Sequence, residues 1–125
     1  MKLLKTLVLP MMMNRKRIMT INNWSSVHWA TKSKVKNKYK DLLKNWFLDG
    51  EVLPADLHFD VLPVYKDKRR RDTINIAPSL KVFEDCLVEL GSLVDDDNTS
   101  FHLRAKQCDK SLKEHELRIK IYERK

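Results

Sequence analysis

Asp72, the adjacent Asp95 and Asp96, and Lys81 between them are side chains suited to work on a phosphodiester. Cutting that bond calls for a hard divalent cation to generate hydroxide and to neutralise charge on the phosphorane. Mg²⁺, with Mn²⁺ as the alternative, is held for this by one or two carboxylates, while water and substrate phosphate fill its other positions. Asp72 can supply one carboxylate after a strand. Asp95 or Asp96 can supply another if the intervening helix folds back along that strand, and Lys81 in its first turn can aim a cation at the same phosphate. The run Lys66-Asp67-Lys68-Arg69-Arg70-Arg71 would hold the nucleic-acid backbone. Each feature also has a plainer reading: a basic run beside Asp as a solvated loop, Asp95 to Asp97 as a turn, and Lys81 as a surface helix residue.

The elements that must position these residues follow from hydrophobic period. Leu, Val and Thr over residues 3–9, stopped by Pro10, predict a first strand. Residues 14–29 have no steady period and read as a long functional loop or arm. Val35, Tyr39, Leu42, Leu43 and Trp46 mark one face of a helix over about 32–48, capped by Thr31 or Ser33 and followed by Gly50. The alternation of Leu57, Phe59 and Val61 with His58 and Asp60 predicts a strand over about 56–65, in which Pro63 implies an edge or a bulge. Ser79 can cap a second helix bearing Val82, Phe83, Cys86, Leu87 and Leu90 and ended by Gly91. Two last strands are predicted over 99–105 and 116–122. This order describes one α+β domain, residues 1–125, with a small mixed sheet and two main helices.

With 25 Lys and Arg against 17 Asp and Glu, the chain carries a net charge of +8, and a polyanion is the partner such a balance favours. No apolar run is long enough to span a bilayer, so no membrane partner is expected. Lys5 and Pro10 interrupt the opening residues, which read as a strand rather than a signal peptide. Cys86 and Cys108 are expected as reduced thiols in a cytoplasmic protein.

The segment Lys68-Arg69-Arg70-Arg71-Asp72-Thr73-Ile74-Asn75, then Lys81, then Gly91-Ser92-Leu93-Val94-Asp95-Asp96 resembles the RusA family of Holliday junction resolvases. That family's pattern is a basic run, an Asp-x-Asp-Asn element, a Lys opening the next helix, then Gly and a pair of Asp. The resemblance extends, more weakly, from Leu7 to the closing strand. It implies a RusA-like intertwined homodimer, encoded by a phage or prophage, that resolves four-way DNA junctions with Mg²⁺, each subunit cutting one of two opposed strands. This chain departs from the family at Ile74, where a second Asp belongs, and carries about three extra residues before Lys81. Asn75 can offer a carbonyl oxygen in compensation, and Asp67 or Asp85 a carboxylate. A non-catalytic DNA-binding relative and a basic RNA- or ribosome-associated protein stand as the alternatives.

Lys32, Lys34, Lys36, Lys38 and Lys40 recur at every second residue and spread over much of their helix, either as a solvated face or as phosphate contacts; Lys32 and Lys36 are the candidates for the latter. Trp46 belongs to the apolar stripe, whereas Trp24 and Trp29 suit core or dimer packing or base stacking. The four His have no metal-ligand spacing with either Cys.

Overall fold

The computed structural model describes residues 1–14, 17–18, 29–68, 76–93 and 99–124. In chain order the elements are β1 (Lys2–Pro10), β2 (Met13–Asn14), β3 (Arg17–Ile18), α1 (Trp29–Leu43), β4 (Leu57–Tyr65), α2 (Ala77–Glu89), β5 (Thr99–Leu103), β6 (Gln107–Cys108) and β7 (Glu116–Glu123). The protein is α+β, with two helices among the described residues and an open, mixed five-stranded sheet in the order β1-β7-β4-β5, β6 continuing the edge beside β4. β7 is antiparallel to both β1 and β4, whereas β5 and β6 run parallel to β4. The short β2–β3 pair lies apart from this sheet.

Period-two alternation decides which face is buried. Leu7 and Leu9 of β1, Leu57, Phe59 and Val61 of β4, and Leu117, Ile119 and Ile121 of β7 all point to one side and are buried there with Tyr39 and Leu43 of α1 and Val82, Phe83, Cys86 and Leu87 of α2. Phe59 is the hub: its ring meets Phe83 edge-on at 5.7 Å and stacks on Phe101 at 4.9 Å.

Several boundaries differ from the sequence expectation, each for a local reason. α1 begins at Trp29, inside the expected arm, and ends at Leu43. Beyond it the backbone tightens, with Asn45 N–H donating to Leu42 O and Trp46 N–H to Leu43 O, both at 3.0 Å, a turn that still delivers Phe47 to the core. The apolar period therefore outlasts the helix. α2 starts at Ala77 with Pro78 in its first turn, so Ser79 is not its cap. Its other end is as read: Gly91, at φ +77°, lets Gly91 N–H reach Val88 O and Ser92 N–H reach Leu87 O, each at 3.0 Å.

β4 is an inner strand despite Pro63, contrary to the expected edge or bulge. The pairing explains why. β5 accompanies β4 only as far as Val61 and β6 begins at Val64, so the ladder on that side is interrupted where proline offers no donor.

Both cysteines are free thiols, Cys86 buried and Cys108 exposed. Burial pushes the Cys86 thiol up to about 11, with Glu89 adding to the rise. At pH 8 a thiol reagent such as DTNB is expected to titrate Cys108 at once and Cys86 only after denaturant is added; two equally fast thiols in the native protein would contradict this packing.

Candidate nucleic-acid interface

Because β1 and β4 are both antiparallel to β7, they finish at the same end of the sheet. α2 starts at that end, and α1 passes it at Tyr39. Tyr39 Oη of α1 donates to Pro10 O where β1 stops, while Lys5 Nζ, earlier in β1, donates to Trp46 O at 2.6 Å, so α1 runs back along β1. Burial holds the Tyr39 hydroxyl far above its ordinary range, which keeps it a donor. In α2, Ser79 Oγ accepts the Met12 N–H at 2.9 Å just past the end of β1, whereas Ser92 O, beyond the helix, accepts the Leu53 N–H at 2.8 Å ahead of β4.

The N-terminus of α2 thus meets the end from which Lys66 and Lys68 leave β4. It carries a partial positive charge of about half an elementary unit. Its first turn holds no acidic residue, and its Ile76 N-cap has no side-chain cap. The local field therefore adds to the basic run instead of offsetting it, an arrangement that favours phosphate.

His115, buried ahead of β7, fixes the root of this basic segment. Its Nδ1 accepts the Lys66 N–H at 3.1 Å, its backbone oxygen accepts the Met11 N–H at 3.1 Å, and its ring packs edge-on to Tyr65. Sequence reasoning considered His115 only as a metal ligand, and nothing in its local pattern signals this bracing role.

The described candidates divide into separate groups. Lys68 is exposed at the exit of β4, and Lys32 is partly exposed near the start of α1. Lys36 Nζ lies 3.7 Å from Glu89 and Lys40 Nζ 2.7 Å from it, so both tie α1 to α2. Lys40 holds the Glu89 carboxyl below its usual range. Lys81 is the fifth residue of α2 and so lies beyond the first turn, where it was expected; its Nζ is 3.2 Å from Asp85 Oδ1, which engages one of the fallback carboxylates.

Arg69, Arg70, Arg71, Asp72, Ile74, Asn75, Asp95 and Asp96 lie outside the described residues. Their flanks are described, and they are far apart. Lys68 and Ile76 belong to the end where β4 stops and α2 starts, whereas Thr99 pairs with Leu57, the first residue of β4. Nine residues of strand separate these ends by about 26 Å at the usual rise per residue. α2 does fold back along β4, but that course leads away from the basic segment. Among the described residues no group of three or more His, Cys, Asp or Glu is placed to hold a metal ion, and no helix is long and apolar enough to cross a membrane.

No family model and no curated protein matches this chain.

The Ser79 to Met12 hydrogen bond joins the first turn of α2 to the chain leaving β1 and is fully buried. Ser79→Ala is expected to cost about 1–3 kcal/mol in urea denaturation, because it strands a buried N–H. A change below about 0.5 kcal/mol would show that this joint does not hold the helix.

Proposed function

We propose that this protein is a metal-dependent, structure-selective endodeoxyribonuclease acting on four-way DNA junctions as a homodimer. The observation that carries the polyanion half of the reading is the end of the fold where the N-terminus of α2, with no acidic residue in its first turn, adjoins the basic segment that begins at Lys66. The resemblance over residues 68–96 supports the choice of substrate and reaction. In this reading Asp72, with Asn75 and either Asp95 or Asp96, would hold Mg²⁺ or Mn²⁺ through oxygen ligands, and the cation would supply the hydroxide and the charge neutralisation. Arg69, Arg70, Arg71 and Lys68 hold the phosphate backbone, and Lys32 adds a contact from the start of α1. Lys81 neutralises charge at the cut phosphate once it leaves Asp85.

The separation of the flanks along β4 bears on how many chains build one site. A homodimer offers a route by which Asp72 of one protomer serves the same phosphate as Asp96 of its partner, which also suits a two-fold substrate. A second reading, a DNA-binding relative that does not cut, is favoured by Ile74 standing where the resembled pattern has a carboxylate.

The deciding experiment uses Asp72→Asn and Asp96→Asn. Each alone is expected to abolish Mg²⁺-dependent nicking of a synthetic four-way junction while leaving junction affinity within about twofold of wild type. Mixed dimers of the two variants are expected to recover up to half of the activity if the site spans two chains, and none if it lies within one. Full activity in either single variant would sink the metal-site assignment.

Replacing Arg69, Arg70 and Arg71 together by Ala is expected to weaken binding to junction and duplex alike. The slope of log K against log salt should become shallower by about 0.9 for each phosphate that the variant no longer neutralises. An unchanged slope would remove the basic run from the interface.

A further inference from the structure

Both helices pack on one face of the sheet, and the opposite face presents a different chemistry. The register aligns Tyr122 of β7 with His58 of β4 and Ser100 of β5 in one row, and Lys120, Asp60 and His102 in the next. The Tyr122 and His58 rings are tilted against each other with centroids 6.4 Å apart, and His58 Nδ1 lies 2.8 Å from Ser100 Oγ, which fixes the imidazole. Asp60 faces Lys120 across the register, and Arg118 lies between Glu116 and Asp109. Asp60 Oδ1 is 3.4 Å from Arg104 Nε, and Glu116 Oε2 accepts from Arg118 Nε at 2.8 Å. Lys120 is exposed in the row beside the rings.

We infer that this face binds a single-stranded polynucleotide, with a base stacked on Tyr122 and its phosphate on Lys120. A ring and a cation two residues apart on one strand are separated by about 6.7 Å, which suits the distance from a base to its own backbone. The partly exposed Tyr122, braced by a hydrogen-bonded histidine, gives a rigid stacking platform at little entropic cost. A paired duplex keeps its base faces covered and gains nothing from such a ring. The net charge of +8 complements a polyanion and disfavours a second copy of this chain as the occupant. This surface faces away from the helices and stands independently of the junction reading.

The test is fluorescence anisotropy in EDTA with labelled oligo-dT, oligo-rU and a blunt duplex. Tyr122→Ala is expected to weaken both single strands about tenfold while leaving duplex affinity within about twofold. Tyr122→Phe should bind as wild type, and Lys120→Ala, at an exposed position that does not endanger folding, should lower the single-strand salt slope by about 0.7. The ratio of oligo-dT to oligo-rU affinity tells whether DNA or RNA is the source of the strand. Unchanged single-strand affinity in Tyr122→Ala, or an equal loss for duplex, would overturn the inference, as would an unaltered salt slope in Lys120→Ala. Failure of the junction reading is separable, because it shows in the Arg69, Arg70 and Arg71 variant and in the nicking assay.

Discussion

The parallel pairing of β4 with β5 is the constraint from which the layout of this protein follows. Parallel neighbours cannot be joined by a tight turn, so the chain must travel the length of β4 before pairing again, and α2 is that return path. Its N-terminus is thereby delivered to the end where β4 releases the basic segment. Its C-terminus, closed by Gly91, is delivered to the end where β4 begins. The same return path concentrates positive field at one end of the sheet and parts the flanks of the two acidic segments.

What keeps α2 on that path is mostly apolar. Val82, Phe83, Cys86 and Leu87 are fully shielded against the sheet, and burying side chains of this size stabilises by about 1.5–3 kcal/mol each. Apolar packing alone would leave the helix free to slide along its axis. Directional bonds fix the register: Met12 N–H on Ser79, Cys86 Sγ on Lys36 O at 3.5 Å, and Glu89 between Lys36 and Lys40. The ion pairs are partly solvated and contribute modestly. Their cost to the DNA-binding scheme is larger, since Lys36 serves the helix–helix contact and is not available to phosphate without giving up Glu89.

The core was legible in the sequence because it rests on period. The alternation in β1, β4 and β7 and the 3.6-residue stripes of both helices survive intact, and so does the glycine stop of α2. Features that depend on distant partners were not legible. Ser79 has the side chain of a helix cap, and only the proximity of Met12, far off in sequence, turns it into a buried acceptor. Pro63 reads as an edge residue until the gap between β5 and β6 is known. His115 carries no local signal for bracing Lys66, because that bond depends on β7 entering the sheet beside β4. Of the candidate site, residue chemistry and charge could be read from the sequence. Folding α2 back along the strand was expected to gather the carboxylates, yet it directs their flanks to opposite ends.

The central claim is that positive field at one end of the fold serves metal-dependent cutting of branched DNA. The most direct measurement incubates the wild-type protein with a synthetic four-way junction and with a linear duplex of the same sequence, with and without Mg²⁺. Paired nicks in opposed strands of the junction, dependent on Mg²⁺ and absent from the duplex, are the predicted result. A junction that is bound but remains uncut at every Mg²⁺ and Mn²⁺ concentration would contradict the account and leave a DNA-binding protein in its place.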